Sequence, residues 1–410
     1  GYTFGITGYS QWRVIPLIQI ASVTGVWGVS ALVTFPSFWL SAALKDFSAG
    51  EGIKGIGRAA VSFFGKEKIS AIVWTAVLSA CLVFGIVSVK DFSSYPSATI
   101  ALVQHNTDPW EASKAPHPIQ ILEAYRKDLS ILKRLSDEAL ASAPKPQLVV
   151  WPETAFVPRI HWQTTHRDNQ NFWQIVKELL EYLSTKDAPF LIGNDDARME
   201  PAKNPNRDER NRVDYNAAIL FENGQISGIY RKLHLVPFTE YFPYSRQFPA
   251  VYRALKKADT HFWEKGEEAT VFSGPGFTFS APICFEDTFG YLSGNFVRRG
   301  ADVLINLSND AWSNSLPAQN QHLSTAVFRA VENCRPMVRS TVSGQTCIID
   351  PNGRITAMAK PFTEAWLKGT VPIVKENTLY TKYGDYLGFI FTLSAAIMLI
   401  LGALWGKIKR

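Results

Sequence analysis

Common cofactor-binding motifs are missing from this sequence of 410 residues. Neither a CxxC pair nor an HExxH motif occurs, which excludes the commonest zinc-site spacings. No glycine-rich phosphate loop occurs either, so we expect no metal and no nucleotide cofactor. The four cysteines, Cys81, Cys284, Cys334 and Cys347, are too few for a dense disulfide framework. We expect Cys284 to be a free thiol, although its spacing leaves a bridge to Cys334 or Cys347 open.

A concentrated basic tract is also missing. Lys and Arg number 42 against 36 Asp and Glu, which gives a formal net charge of +6. Because these charges are dispersed and not interleaved with aromatic residues, we expect no nucleic-acid partner. The length allows one large or two medium domains with accessory segments.

Three uncharged stretches are long enough to cross a bilayer, which takes about 20 helical residues. They cover residues 15–40, 69–89 and 387–405, and buried core helices are the alternative interpretation. Basic residues exceed acidic ones between the first two stretches, and the chain ends in Lys-Ile-Lys-Arg. By the positive-inside rule both of these segments should face the cytoplasm, which places residues 90–384 on the opposite side.

We therefore divide the chain into three regions. Residues 1–89 are expected to hold transmembrane helices with a cytoplasmic basic loop, 90–384 an extracytoplasmic catalytic domain, and 385–410 a final transmembrane helix with a basic tail. The chain begins with Gly1 and has no charged amino-terminal region. We therefore expect no signal peptide and a fragment or processed form that upstream spans could precede.

In the central region, short β-branched runs alternate with longer amphipathic segments. This alternation predicts an α/β layered domain with a largely buried sheet. The predicted strands are 99–104, 147–151, 189–193, 217–221, 277–284, 303–307, 346–350 and 354–358, and the predicted helices are 118–141, 169–183, 289–299 and 319–333. Hairpin turns are predicted at Asn223-Gly224 and at 351–353, and long connections at 198–211 and 239–266.

Three chemically useful side chains accompany apolar runs. Glu153 follows the run 148–151, Lys232 follows Ile229-Tyr230 as a partly buried amine, and Cys284 ends the run 277–284. Each residue also has an ordinary structural explanation. Glu153 could cap a helix, Lys232 could be a solvated amine at the edge of a strand, and Cys284 could be a small buried hydrophobic residue. Together, a carboxylate, an amine and a thiol can make and break an acyl-thioester. Glu286 and Asp287 should raise the pKa of the Cys284 thiol, so Lys232 is needed to offset them.

In this chain order, the three residues resemble the Glu-Lys-Cys triad of the carbon-nitrogen hydrolase, or nitrilase, superfamily. Other segments are similar to its membrane-embedded branch, the apolipoprotein N-acyltransferases: 232–241 (KLHLVPFTEY), 306–312 (NLSNDAW), 321–322 (QH), 326–336 (AVFRAVENCRP), Gly344 and 349–354 (IDPNGR). Gln19, Gly25, Gly28 and Ser30 match the last span before the domain. The resemblance covers almost the whole chain and implies a nitrilase-like αββα sandwich domain inserted between transmembrane helices.

The resemblance also implies a role for each residue of the triad. Glu153 would be the general base, and Cys284 would hold a fatty acyl group as a thioester. Lys232, with the backbone N–H of Phe285, would stabilise the tetrahedral oxyanion. Glu240 would position the lysine or the base.

Further residues match the family or depart from it. Trp110 and Asn216 correspond to family residues near the substrate site, and Trp110 is equally compatible with an aromatic at the membrane interface. Glu286 follows the family pattern after the nucleophile, whereas Phe285 stands where tyrosine is common. The segment 340–344 (STVSG) also departs from the usual pattern, which leaves room for a different acceptor or acyl preference.

The implied partners are a phospholipid acyl donor, a diacylglyceryl-modified apolipoprotein and the bilayer. The implied location is the bacterial inner membrane, multi-pass, with the catalytic domain on the periplasmic side. Two other functions remain open: a membrane-anchored amidase-type hydrolase, and a catalytically inactive lipopeptide-binding membrane protein. The spans and the block 232–241 argue against the hydrolase. His234 and His322 suggest a Cys-His pair, but Glu153 already supplies a base, so structural hydrogen bonding is their expected role.

Overall fold

Two six-stranded sheets lie at the centre of the computed structural model, which describes residues 3–45, 61, 65–107, 118–200, 212–257, 262–313 and 315–408. The first sheet contains β1 (Ser97–Gln104), β2 (Leu148–Phe156), β3 (Phe190–Met199), β4 (Arg212–Glu222), β5 (Gln225–Arg231) and β12 (Ala365–Pro372). The second contains β6 (Val271–Gly274), β7 (Phe277–Ser280), β8 (Val303–Ser308), β9 (Met337–Thr341), β10 (Cys347–Ile349) and β11 (Ile355–Met358).

Both sheets are parallel at the centre and antiparallel at the edges. The first has the order β12-β1-β2-β3-β4-β5 with β1, β2 and β3 parallel, and the second has the order β11-β10-β9-β8-β7-β6 with β7, β8 and β9 parallel. The β4–β5 hairpin turns at Asn223 and Gly224, whose φ angles of 50° and 76° suit a tight hairpin turn. The predicted turn is therefore confirmed.

Helices are distributed along the whole chain. They are α1 (Ile15–Ile18), α2 (Ala21–Thr24), α3 (Val26–Thr34), α4 (Pro36–Lys45), α5 (Lys68–Ser88), α6 (Pro118–Ala141), α7 (Ile160–His166), α8 (Gln170–Ser184), α9 (Pro249–Lys257), α10 (Gly290–Arg298), α11 (Leu316–Asn333), α12 (Leu379–Tyr383) and α13 (Tyr386–Ile408). The predicted helix 118–141 is confirmed over its full length, and those at 169–183, 289–299 and 319–333 differ only at their ends.

Successive side chains of β1 point to opposite faces of the first sheet and so contact two different layers. Ile100 and Leu102 point into the core between the two sheets, whereas Ala101 and Val103 pack beneath α6 and α8 on the outer face. Helices α10 and α11 cover the outer face of the second sheet. The hydroxyl of Ser340 on β9 joins the sheets by donating to the backbone oxygens of Val103 and Val150 at 3.2 and 3.3 Å. The predicted α/β layered domain is confirmed, with the layers in the order α, β, β, α.

The first predicted span is not one helix. Residues 15–45 form α1 to α4, with a break at Gly25, whose φ is 63°. A Cβ at Gly25 would lie 2.5 Å from the Tyr380 ring, so a side chain there is excluded. Ile18, Ala21 and Val29 are fully buried in the same core cluster as the sheets.

Among the described residues, two helices, Lys68–Ser88 and Tyr386–Trp405, are long and apolar enough to cross a membrane.

The prediction of a strand running to Cys284 was wrong. Strand β7 ends at Ser280, and Cys284 begins a short 3-10 turn, Cys284–Thr288, with a φ of 49°. Pro282 explains the early end, because proline has no N–H to continue the ladder. The long connection 239–266 contains α9, and most of the connection 198–211 lies outside the described residues.

Candidate active site

Lys232 is a fully buried amine immediately after β5. Its backbone N–H donates to Asn216 O at 2.8 Å, and its Nζ donates to Glu240 Oε1 at 2.7 Å and to Glu153 Oε1 at 3.4 Å. Burial alone would lower the pKa of Lys232, but the charges of Glu240 and Glu153 raise it above its usual value. The amine is therefore a cation. The prediction of a partly buried amine was wrong, because the segment after β5 folds back over it with Gly266 N bonded to Lys232 O at 2.8 Å.

Glu153 lies in an irregular part of β2. The β2–β3 register shifts between Trp151 and Phe156, which lets the chain around Glu153 leave the regular ladder. Gly193 on β3 allows this close approach, because a Cβ there would lie 2.1 Å from Pro152 O. Glu153 Oε2 accepts the Asn309 N–H at 2.8 Å. The carboxylate is thus fixed by neighbouring backbone as well as by Lys232.

Glu240 and Asn216 complete the polar cluster. Glu240 Oε2 accepts the Val236 N–H at 2.7 Å, which fixes the other end of the carboxylate that binds Lys232. Asn216 Nδ2 donates to Glu153 Oε1 at 2.8 Å and to Glu240 Oε1 at 3.3 Å. The structure therefore brings Glu153, Lys232, Glu240 and Asn216 into one buried group.

The Cys284 thiol lies in the electrostatic field of this cluster. Burial and the charge of Glu153 raise the pKa of Cys284 well above its usual value, and the charge of Lys232 opposes them. Asn306 Nδ2 holds the turn by donating to Cys284 O at 3.1 Å and to Pro282 O at 3.2 Å. A thiol with a raised pKa stays protonated at neutral pH, so its reaction needs a nearby base.

Phe285 packs its ring beside the thiol turn. Its centroid lies 5.1 Å from that of Phe289 and 5.9 Å from that of Phe4. The amino-terminal segment therefore contacts the turn that carries Cys284.

Glu286 is held by hydrogen bonds from three backbone N–H groups and from Tyr230. Its Oε1 accepts the N–H groups of Leu233 and His234 at 2.7 and 3.0 Å, and its Oε2 accepts that of Ile283 at 2.8 Å. The Tyr230 hydroxyl donates to the same carboxylate at 2.8 Å. Burial raises the pKa of Glu286 to about 7, although these hydrogen bonds lower it in part. Glu286 therefore joins the Cys284 turn to the segment that begins at Lys232.

Asp287 belongs to a buried network that the sequence analysis missed. His322 Nε2 contacts Asp287 Oδ1 at 2.9 Å, and its Nδ1 contacts Asp310 Oδ1 at 2.9 Å. Arg339 pairs with both aspartates. Burial would lower the pKa of His322, but the aspartates raise it to about 9. His322 was noticed in the sequence, but no local pattern links it to partners 12 and 35 positions away.

The expectation that Glu286 and Asp287 raise the thiol's pKa therefore needs correction. Burial and Glu153 have the larger effects, followed among the acidic groups by Asp310 and Glu240. Trp110 lies outside the described residues. In the described part of the chain, no three His, Cys, Asp or Glu side chains are grouped to hold a metal ion, and all four cysteines are free.

Comparison with known proteins gives the class of this domain. The carbon-nitrogen hydrolase family matches residues 99–375. Among solved structures, a carbon-nitrogen hydrolase from Helicobacter pylori G27 is 14% identical with a TM-score of 0.49, and the match covers 68% of this chain and 90% of that one.

Relatives that match almost the whole of this chain define the family more narrowly. Apolipoprotein N-acyltransferase 1 of Treponema pallidum (strain Nichols) is 46% identical over 98% of this chain and 72% of that protein. The protein of the same name from Treponema denticola is 44% identical over 96% of this chain and 72% of that protein. The chain belongs to the apolipoprotein N-acyltransferase family, within the carbon-nitrogen hydrolases, as its motifs predicted.

Proposed function

We propose that this protein transfers a fatty acyl group from a phospholipid, through a thioester on Cys284, to the α-amine of the diacylglyceryl-cysteine of an apolipoprotein. The observation that carries the proposal is the buried contact of the Lys232 amine with two carboxylates, beside a thiol whose pKa both Lys232 and Glu153 affect. Similarity to proteins named apolipoprotein N-acyltransferase supports the choice of reaction.

In the first step, Cys284 Sγ attacks the ester carbonyl carbon of the phospholipid while Glu153 takes the thiol proton. The carbonyl becomes a tetrahedral oxyanion. When the carbon–oxygen ester bond breaks, Glu153 returns the proton to the departing alkoxide, which leaves as a lysophospholipid. The acyl group remains on sulfur, and Glu153 is again a carboxylate.

In the second step, the acceptor amine attacks the thioester carbonyl. Glu153 takes a proton from the attacking nitrogen, and the carbon–sulfur bond breaks as the amide forms. The thiolate recovers the proton from Glu153. The same carboxylate therefore acts as base and then as acid in both halves of the reaction, with no net change in the enzyme.

The surroundings of Lys232 suit stabilisation of a developing negative charge. Its Nζ is a buried cation held by Glu240 and Glu153, so it needs little reorganisation during the reaction. Asn216 donates to both carboxylates and so limits their movement. We assign stabilisation of the tetrahedral oxyanion to Lys232 and the backbone N–H of Phe285. Glu240 and Asn216 position Lys232 and Glu153. Trp110 is assigned to substrate binding on its sequence match alone.

Helices α5 and α13 are proposed to anchor the catalytic domain in the bacterial inner membrane, with 90–384 on the periplasmic side. Both helices are apolar. Helix α5 packs Leu78, Cys81 and Leu82 against the core and exposes most of its other side chains, and α13 exposes its side chains from Phe389 to Trp405, which suits a lipid environment. The basic residues Lys407, Lys409 and Arg410 support a cytoplasmic carboxyl terminus by the positive-inside rule. Green fluorescent protein fused after Arg410 should therefore fluoresce, whereas activity of alkaline phosphatase fused there would contradict this topology.

A transfer assay tests the proposed reaction. The purified chain is incubated with phospholipid labelled in the acyl chain and a synthetic diacylated lipopeptide. We expect the label to appear as an amide on the lipopeptide and Cys284→Ala to abolish this product. Release of labelled fatty acid alone would indicate a hydrolase and contradict the proposal. Acetylating the amino terminus of the lipopeptide provides a matched control, because it removes the accepting amine and should also abolish transfer.

A further inference from the structure

A cleft of about 650 Å³ lies between the amino-terminal segment and the catalytic domain. One wall is formed by Trp12 and Arg13, which precede α1, and the others by the start of α11 and by residues in and around β11. Glu153, Lys232 and Cys284 do not line it. Its volume is in the usual range for sites that bind small molecules, so the cleft is large enough for a ligand of its own.

The charged side chains of this cleft have one sign. Among the described residues that line it, Arg13 and Arg354 are charged and none is acidic. Asp350, which lies close to Arg354 in sequence, accepts the backbone N–H groups of Asn352 and Arg354 at 2.9 and 2.8 Å. Two guanidinium groups in a cleft without an acidic side chain favour an anion, and their planar sets of N–H donors match a phosphate well.

Apolar surface adjoins the two arginines. Leu316 is 47% exposed and Met358 is 40% exposed, and both line the cleft together with Ile15. Exposed apolar side chains beside two guanidinium groups suit a ligand that has an anionic head and a hydrocarbon tail. Inorganic phosphate would leave this apolar surface in contact with water, so an amphiphile fits the cleft better.

The position of the cleft along α5 indicates which amphiphile can reach it. Pro16, three residues after Arg13, approaches the last turn of α5 so closely that a Cβ at Gly85 would lie 1.6 Å from Pro16 O. Arg354 also lines a second cleft with residues 89–90, which directly follow α5. Both arginines therefore lie near the end of α5 that leads into the catalytic domain. In the proposed topology this end meets the outer surface of the membrane, where the phosphates of phospholipids lie.

We propose that this cleft binds an anionic phospholipid, with the phosphate at Arg13 and Arg354 and an acyl chain along Leu316 and Met358. The inference rests on the proposed membrane anchoring, and the site is separate from the one that holds the acyl donor and acceptor. A lipid of net negative charge is favoured, because the ammonium group of a zwitterionic lipid would be repelled by the two arginines. The bound lipid would join the amino-terminal segment to α11 and β11 at the membrane surface.

Lipid binding by the purified full chain tests this inference. Native mass spectrometry in a non-ionic detergent measures the affinity for phosphatidylglycerol relative to that for phosphatidylcholine with the same acyl chains. Every protein carries Cys284→Ala, so that no acyl group is transferred during the measurement. The test variant combines Arg13→Gln with Arg354→Gln. The matched control combines Arg126→Gln with Arg134→Gln, which removes the same charge from α6, the helix that covers the other sheet.

We expect the ratio of the two affinities to fall about tenfold or more in the test variant and to stay unchanged in the control, since the contacts of guanidinium with phosphate are charge-assisted. An unchanged ratio in the test variant, or an equal fall in the control, overturns the inference. Complete displacement of the lipid by an equal concentration of glycerol 3-phosphate also overturns it, because the phosphate alone would then be the ligand. These outcomes leave the proposed acyl transfer intact, which is contradicted separately if wild-type Cys284 does not become acylated.

Discussion

Glu240 Oε1 lies 2.7 Å from Lys232 Nζ, and the two side chains are 10% and 0% exposed. They are eight positions apart in sequence, and the segment between them turns so that Val236 N also donates to Glu240. This pair compensates the burial of the amine, because an isolated ammonium ion in the same place would be strongly destabilised.

Glu240→Gln should slow both half-reactions about tenfold or more with little change in KM. The amide can still accept a hydrogen bond from Lys232, but it no longer supplies the charge that keeps the amine oriented and protonated. Steady-state kinetics on phospholipid vesicles check this expectation. Glu240→Asp serves as the control, because it retains the charge, and it should be less impaired than Glu240→Gln. An equal loss in the two variants would contradict the positioning role.

Lys232→Met should reduce the rate of Cys284 acylation about 100- to 1000-fold, the usual effect of removing one oxyanion donor. The substitution should also raise the pKa of the Cys284 thiol further, because the charge of Lys232 lowers it. The pH dependence of alkylation by iodoacetamide measures that pKa. An alkylation profile shifted towards lower pH would contradict the electrostatic assignment.

His322 should make the protein less stable as the pH rises from 6.5 to 9. Its folded pKa of about 9 lies above the ordinary value of 6.5, so the folded state holds the proton more tightly and the stabilisation is full below pH 6.5. The loss on deprotonation is of the order of 3 kcal/mol. Thermal unfolding in detergent checks this dependence. His322→Asn should be less stable at pH 6.5 and should unfold with a flatter pH dependence, whereas an unchanged slope would contradict the assignment.

Gly193→Ala should reduce activity about tenfold or more, because the new methyl group would overlap Pro152 O and displace the backbone of Glu153. Gly402→Ala, in α13, is the control, since no atom lies within 4 Å of the position that its Cβ would occupy. It should keep full transfer activity. Normal activity of Gly193→Ala would show that the close approach of β2 and β3 does not fix the base.

Local patterns explain which parts of the fold the sequence predicts. Helix α6 is predicted over its whole length because its apolar positions repeat with the helical period. Strand β12 was missed because its partner is β1, at the other end of the domain, and nothing local indicates this pairing. The division of residues 15–40 into several helices also depends on a distant residue, since Tyr380 packs where a side chain on Gly25 would lie.

In the candidate site, too, the sequence predicts the features that local patterns determine and misses those that depend on distant residues. The chain order of Glu153, Lys232 and Cys284 is visible in the sequence, and the structure brings Glu153 and Lys232 within 3.4 Å of each other. The left-handed backbone of Cys284 and the pairing of Asp287 with His322 depend on residues far away in the chain. For that reason, the sequence alone suggests that Glu286 and Asp287 act on the pKa of the thiol. The hydrogen bonds of Glu286 and Asp287 show that both residues support the turn that carries Cys284.

Intact-mass spectrometry of a single turnover tests the central claim most directly. After mixing with phosphatidylethanolamine, the wild-type protein should gain the mass of one acyl group, Cys284→Ala should gain none, and peptide mapping should locate the adduct on Cys284. Adding the diacylated lipopeptide should remove this mass and produce an equal amount of triacylated product. A folded protein that never carries the acyl group, or an adduct that disappears equally fast without the lipopeptide, would contradict the account.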